Sequence, residues 1–433
     1  MTYQPVVDTF AVPVPLDPWS AALFAAAFVA AAALTARRAA YGLAALVLIQ
    51  PFALYREVFS TDVTMPKVVL LGTLLGLSSY AGIWRTLRER PAPLLLAALG
   101  AYLVAMLLSF VHSAHHGATA RETFKTFEYA LLFVTAYLCY RLDPDDALLA
   151  GAVALAAIAV ASTALAQEAL GAPSGLYVGN AIVPRIAGAL EGPNQLAGYF
   201  EVSVAALGAL AVWRRTPLGS AALLLSACAD VLTFSRAGLI GLGLVFAVLF
   251  LVARGAALRA LRPAFAGLVL GAAGVGAWAI YAHSASVLRV SFGETEYAGG
   301  VGGRGELYRA AWRMFLRHPL FGVGAGNYEL ELGDYGLFGV RTHANSWYLQ
   351  SLAEGGAVLF AATLALIGCI VGTFARALRA SPWALAAFAA GLCLGLHQIA
   401  DYLVFYPKVG GPWWLLAGIG AASIAARAAL AAA

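Results

Sequence analysis

HSASVLRVSFGETEYAGGVGGRGELYRAAWRMFLRHPLFGVGAGNYELELGDYGLFGVRTHANS, residues His283–Ser346, is the one long polar segment in a chain that is otherwise close to continuous apolar helix. It holds Arg289, Glu294, Glu296, Arg304, Glu306, Arg309, Arg317, His318, Asp334, Arg341 and His343. A connection of about sixty residues in a compact protein is functional or disordered as a rule. This one has helical texture, because Glu306 to Leu316 sets Leu307, Ala310, Ala311, Met314 and Phe315 on one face. It therefore reads as a folded cap, with a site beneath it.

What surrounds the cap is membrane protein. The 433 residues are 62% hydrophobic and only 11% charged, with a mean hydropathy of +0.81, whereas a soluble domain carries about 25% charged residues. Apolar runs of spanning length predict an all-α bundle of about twelve or thirteen transmembrane helices. They lie near Ser20–Ala36, Ala39–Tyr55, Val68–Trp84, Pro93–Val111, Phe127–Tyr140, Ala147–Gln167, Gln195–Trp213, Ala221–Phe234, Leu239–Val252, Ala264–Ala282, Leu349–Phe374, Trp383–Val404 and Trp413–Ala429. The organisation is then membrane helices over 1–282, including a short outer loop at 171–194, the cap at 283–346, and closing helices over 347–433. The first residues lack the basic start of a cleaved signal peptide, so none is expected.

Arginine sets the orientation. Arg37-Arg38, Arg85/Arg88/Arg90, Arg141, Arg214-Arg215, Arg254/Arg259/Arg262 and Arg376/Arg379 fall on alternate connections, which the positive-inside rule makes cytoplasmic. The 171–194 loop, the Ser235-Arg236 break and the cap then share the outer face. The net charge of +5 is mostly such arginine, so nucleic acid is not an expected partner. Cys139, Cys228, Cys369 and Cys393 sit in apolar runs without metal or disulfide spacing and read as small buried hydrophobes. No GxSxG, Walker or HExxH motif is present, and no acidic cluster suggests a metal, so no cofactor is expected.

Several polar residues on the outer face are candidates for chemistry. Arg236 stands in LTFSRAGLIGLGLVF, where an arginine is costly unless it faces a polar cavity or finds a partner. Asp230 just upstream is the structural alternative as a salt-bridge partner. Arg304, between glycines in GGVGGRGELYR, suits close approach to an anion or a flexible link. With Arg185, Arg289 and Arg341 these arginines point to a phosphate or pyrophosphate site. His343 comes where the cap returns to the membrane, with Asn345 or Ser346 placed to cap the next helix. A neutral imidazole at that helix edge could accept a proton, and Glu354 could orient it or line the cavity. Glu191, Asn194 and Gln195 open a spanning helix after Pro193, where they contact sugar hydroxyls or simply cap. His318 reads as a turn residue, and His115-His116 need no special role.

Four pieces in order carry a resemblance: EGPNQLA (Glu191–Ala197), TFSRAG (Thr233–Gly238), Arg304–Tyr328 and HANSWYLQSLAEGG (His343–Gly356). Together, across roughly Pro184 to Gly356, they resemble the signature of the O-antigen ligase and polymerase superfamily of bacterial envelope enzymes. Two details depart from its pattern: Gly192 replaces the first Asn of Asn-Pro-Asn, and Ala344 separates His343 from Asn345. The resemblance implies a metal-independent glycosyltransferase in the bacterial inner membrane with its site facing the periplasm. The donor would be O-antigen glycan on undecaprenyl pyrophosphate and the acceptor a sugar hydroxyl of lipid A-core. Residue by residue it implies that Arg236 and Arg304, with Arg185, bind donor pyrophosphate and that His343 activates the acceptor hydroxyl. Supporting contacts fall to Glu191, Asn194, Arg289, Asn345 and Glu354. A polysaccharide polymerase using the same donor is the neighbouring alternative. A transporter or flippase of anionic lipid-linked glycans is the alternative of another class.

Overall fold

The computed structural model describes residues 12–13, 18–52, 54–58, 61–88, 92–171, 177–178, 181–182, 185–213, 216–253 and 304–432, with scattered positions between 266 and 281. Arg289 and the expected span Ala264–Ala282, apart from those scattered positions, lie outside the described residues.

Apolar sequence becomes helix throughout. In chain order the helices are α1 (Pro18–Arg37), α2 (Ala39–Ile49), α3 (Met65–Leu77), α4 (Ile83–Arg88), α5 (Pro93–Leu108), α6 (His116–Leu142), α7 (Asp146–Leu170), α8 (Pro193–Trp213), α9 (Pro217–Leu232) and α10 (Arg236–Val252). After these come α11 (Arg304–Arg317), α12 (Tyr328–Glu331), α13 (Trp347–Ala375), α14 (Pro382–His397) and α15 (Pro407–Ala432). Among the described residues six are long and apolar enough to cross a membrane, and α2, α3, α9, α10 and α14 are shorter apolar helices beside them. The chain is an all-α, multi-pass membrane protein. Its strands are short: Val12–Pro13 pairs parallel with Leu54–Val58, which pairs antiparallel with Thr61–Thr64, and Tyr177–Val178 pairs with Ala181–Ile182.

Four expected spans are corrected, the first being Val68–Trp84, which ends at Leu77 and turns into the short α4. Ala39–Tyr55 stops at Ile49, because Gln50 and Pro51 turn the chain into the strand beginning at Leu54. Phe127–Tyr140 is the inner part of the 27-residue α6, whose polar first turns extend beyond the apolar run. Trp383–Val404 ends at His397 and gives way to a loop and a short 3-10 turn at Leu403–Phe405.

Small side chains let the helices approach closely, as expected where lipid offers no competing hydrophobic drive. A Cβ at Gly72 would lie 2.5 Å from the Phe28 carbonyl oxygen of α1, and one at Gly418 of α15 would lie 2.4 Å from that of Phe133 in α6. α15 packs along α6, and α14 along α8, around Trp383, Trp413, Phe133, Phe200 and Phe374, all fully buried.

The two ends of this bundle differ in chemistry. At one end Arg38 donates to Asp143 at 2.8 Å and Asp145 at 3.1 Å, while Trp383 Nε1 and Tyr140 Oη donate to Asp146, each at 2.7 Å. This end gathers the close of α1 and α6 with the starts of α2, α7 and α14. Helix α13 also finishes here, beside Arg376 and Arg379. The opposite end holds the starts of α8, α10, α13 and α15 and the cap. Arg38, Arg141, Arg376 and Arg379 of the expected alternation thus share one end, while Arg214-Arg215 and Arg254/Arg259/Arg262 lie outside the described residues.

The cap has its own small core: Leu307, Ala310, Ala311, Met314, Val323, Tyr328, Leu332, Tyr335, Val340, Ala344 and Ala353. Four of the five residues expected on the inner face of α11 belong to it, and Phe315 stays half-buried. The cap is clasped to α13 where that helix breaks. Gly356 has φ 61° and ψ −157°, which interrupts the helix. Backbone groups around the break bond to the cap instead. Val323 and Gly324 donate to the Ala353 and Glu354 carbonyls at 3.0 and 2.9 Å, and Ala357 donates to the Pro319 carbonyl at 2.8 Å. Buried helix breaks are tolerated when freed groups are paired in this way. A Cβ at Gly322 (φ 64°) would sit 2.2 Å from the Glu354 carbonyl carbon, so only glycine fits the clasp.

Candidate active site

The expected site residues that are described converge on the cap end. Arg185 lies in the loop before α8. Its Nε donates to the Thr233 carbonyl at 2.7 Å and its Nη2 to Asn194 Oδ1 at 3.1 Å. Asn194, on the first turn of α8, passes the chain on by donating through Nδ2 to Asp401 Oδ2 at 2.7 Å. It is therefore a bridge between two elements. Asp401 Oδ1 accepts the Tyr402 amide at 2.7 Å, and the Asp401 carbonyl accepts Trp347 N at 3.0 Å. Next to it, Arg304 Nη1 donates to the Ala400 carbonyl. One network thus joins the loop before α8, the end of α9, the α14–α15 turn, the start of α13 and the start of α11.

Arg236 is the first residue of α10, capped by Ser235, whose Oγ accepts Gly238 N at 3.2 Å. Its head lies against that of α8, since a Cβ at Gly238 would stand 2.5 Å from Ala197 Cβ. The side chain is exposed. Among the described residues it makes no ion pair, and Asp230, the structural alternative, is fully buried with both carboxylate oxygens unpartnered. Arg236 is thus a surface cation at a helix head, where backbone amides also favour an anion.

His343 is half-buried and faces Tyr402, Phe405 and Tyr406, with ring centroids 6.0 to 6.2 Å away. Its Nε2 lies 3.1 Å from Tyr406 Oη and its Nδ1 accepts the Asn345 amide at 3.1 Å. Burial lowers its pKa below the ordinary value, Asp401 opposes that shift, and Arg304 and Lys125 reinforce it. The ring is neutral near pH 7, and desolvation is the main reason. The cap of α13 is Ser346, which accepts Leu349 N, so His343 stands outside the helix edge. Asn345 adopts φ 51°, a left-handed turn between the imidazole and the cap of α13.

Glu354 does not touch His343. Its Oε1 accepts Tyr328 N at 3.2 Å and Gln350 Nε2 at 2.7 Å, and Gln350 Oε1 accepts Ala344 N at 2.7 Å. It therefore reaches the histidine only through Gln350 and the backbone beside it. Glu191 faces Lys408, with Oε1 3.9 Å from Nζ, and Lys408 donates to the Ala189 carbonyl at 2.8 Å. His318 stacks on His112 at 5.0 Å, away from this network.

Sequence reasoning missed Asp401, Tyr406 and Lys408. The signal was present in HQIADYLVFYPKVGG, since ionisable residues amid apolar spans mark functional positions. Absorbing the first part of that run into the span Trp383–Val404 hid it. Chemically, the site offers guanidinium groups at helix heads, a neutral imidazole and a phenol around one carboxylate.

Residues 221–364 match the family model described as O-antigen ligase. The match includes Arg236, Arg304 and His343, while Arg185, Asn194 and Asp401 lie outside it. No curated protein matches the chain significantly.

Proposed function

On that family match, which supports ligase- or polymerase-type chemistry on lipid-linked glycans, we propose that the chain is an O-antigen ligase. It moves glycan from undecaprenyl pyrophosphate to a sugar hydroxyl of lipid A-core, at the periplasmic face of the bacterial inner membrane. The observation that carries this reading is the meeting of Arg236, Arg185 and Arg304 with His343 at the end of the bundle opposite the Arg38 ion pairs. Preorganised guanidinium groups stabilise the charge that grows on a departing pyrophosphate, so the reaction proceeds without metal. Attack by the acceptor opposite the leaving group inverts the anomeric centre, and product-linkage NMR showing retention would overturn that step. The Ser235-capped head of α10 supplies further partial positive charge.

The test is transfer by purified protein in detergent and EDTA, from undecaprenyl-pyrophosphate-linked glycan to rough lipopolysaccharide. High-mass lipopolysaccharide is the expected product. Lengthening of the donor glycan with untouched lipopolysaccharide would make the chain a polymerase. Loss of activity in EDTA, restored by a divalent cation, would refute the metal-independent reading. Passage of labelled donor across vesicles by His343→Ala, with no product from the wild type, would favour a transporter.

A further inference from the structure

Helix α11 is apolar on two sides. Its inner residues Leu307, Ala310, Ala311 and Met314 belong to the core of the cap. A surface helix covered by water is polar on the side opposite its core. At 3.6 residues per turn that side of α11 carries Trp312 and Leu316, which are 50% and 61% exposed. Four residues on, just beyond the helix, Leu320 is 60% exposed. Arg309, Arg313 and Arg317 repeat at the same four-residue interval and form an exposed row next to this apolar line. Large apolar side chains flanked by arginine are the pattern of a helix that lies in a lipid–water interface, where tryptophan is enriched at the headgroup level.

Two observations identify what covers this outer face. The first is continuity with the membrane surface of α13. The Leu320 carbonyl accepts the Val358 amide at 3.3 Å and the Pro319 carbonyl accepts the Ala357 amide at 2.8 Å, so Leu320 stands beside the first turn after the helix break. From that turn Ala357, Ala361, Leu364 and Ala365 are exposed along a helix long and apolar enough to cross the membrane. An exposed apolar flank of a crossing helix is a lipid contact. The second observation is charge. Helix α11 carries four arginines and one glutamate. Arg313 Nη1 donates to the Tyr335 carbonyl at 3.3 Å, and the Arg317 guanidinium lies 5.2 Å from the Tyr335 ring. Two of the row are thus held beside the apolar line. The neighbouring acids Glu331 and Asp334 belong to the turns that lead to Tyr335 and leave α11 itself cationic. Lipid phosphates complement such a row.

We propose that the outer face of α11 is a lipid-docking surface that rests on the bilayer at the cap end. Trp312 and Leu316 sit at the boundary between headgroups and acyl chains, Leu320 enters furthest, and Arg309, Arg313 and Arg317 meet lipid phosphates. The occupant is bilayer phospholipid, and the inference stands apart from the transfer reaction. The cap is then held to the membrane along α11 as well as through the clasp on α13.

The experiment is fluorescence quenching of the full chain in vesicles of phosphatidylcholine and phosphatidylglycerol. Subtracting the emission of Trp312→Phe isolates Trp312 among the nine tryptophans. Lipid brominated close to the headgroup should extinguish the Trp312 emission, and iodide on both sides of the membrane should leave it bright. Quenching by the brominated lipid should rise with phosphatidylglycerol content, and Arg309→Gln/Arg313→Gln/Arg317→Gln should abolish that rise. Leu320→Trp in the Trp312→Phe background should respond best to bromine placed deeper in the chain. Where that variant fails to fold, the Trp312 comparison decides alone. Trp312 emission that iodide removes and brominated lipid leaves unchanged would overturn the proposal. Shielding lost when the protein is diluted in lipid would mean a second copy covers the face, and shielding gained only with added lipid-linked glycan would mean substrate does. Either result overturns the phospholipid surface.

Discussion

The two ends of the bundle handle arginine in opposite ways. Arg38 is locked to the carboxylates of Asp143 and Asp145, and its neighbours Tyr140 and Trp383 are bound to Asp146. At the other end Arg185 and Arg304 donate to the neutral oxygens of Thr233, Asn194 and Ala400, and Arg236 ends in an exposed fork at a helix head. The first arrangement fastens helices together. The second ties Arg185 and Arg304 to backbone and amide oxygens and presents Arg236 at a helix head.

The sharpest way to break this contrast is Arg236→Ala. Transfer should fall by about 100- to 1,000-fold, as for loss of a preorganised donor to growing negative charge. The melting temperature should hold, because Arg236 makes no ion pair among the described residues. A large drop in melting temperature with normal transfer would make it a structural residue.

Asp401→Ala should affect both properties. The half-buried Asn194 amide and the buried Tyr402 amide lose their acceptor, at about 1–3 kcal/mol for a buried group left unsatisfied. Equilibrium unfolding in detergent would show that loss, and transfer would decline as Arg185 and Asn194 lose their register. Unchanged stability would mean that water replaces the carboxylate.

A pH series gives a smaller effect. An unperturbed histidine titrates near about 6.5, and burial holds His343 below that. The acid limb of transfer should therefore lie below the ordinary histidine range and disappear in His343→Gln. The unfolded chain takes up this proton first, so the histidine's contribution to stability declines as pH falls through the ordinary value and levels off below the folded one. An acid limb at or above the ordinary value would contradict the buried site.

Least of all is expected from Arg38→Ala, at the fastening end. Transfer should continue at the wild-type rate with a slight loss of thermal stability, as for partly exposed ion pairs. Strongly reduced transfer in a folded Arg38→Ala protein would abolish the distinction between the ends.

Much of this was legible in the sequence. Long apolar runs mark helices because lipid leaves the backbone no other partner, and α5, α7, α8 and α13 start within a few residues of the expected positions. The inner face of α11 followed from its spacing, since Leu307, Ala310, Ala311 and Met314 are all buried. Arg185, Asn194, Arg304 and His343 were expected at one face and are found there. Tertiary facts were harder to read. Nothing local in HQIADYLVF says that the helix ends at His397 and exposes Asp401 to Asn194, 207 residues away. Glu354 resembled a lining residue because one of its partners, the Tyr328 amide, is brought to it by the cap. The bond from the Asn345 amide to the His343 ring depends on a local turn that the sequence does not reveal.

The interruption at Gly356 also sets a depth. Ala357–Ala375 continue α13 as unbroken helix, which at 1.5 Å per residue measures about 28 Å, close to the roughly 30 Å of a bilayer's hydrocarbon. The turns from Trp347 to Gly355, fastened to the cap, then stand in the headgroup layer. On that geometry His343 and Tyr406 would lie at the level of lipid phosphates, where the proposed polyprenyl donor would meet them without lifting its tail from the membrane.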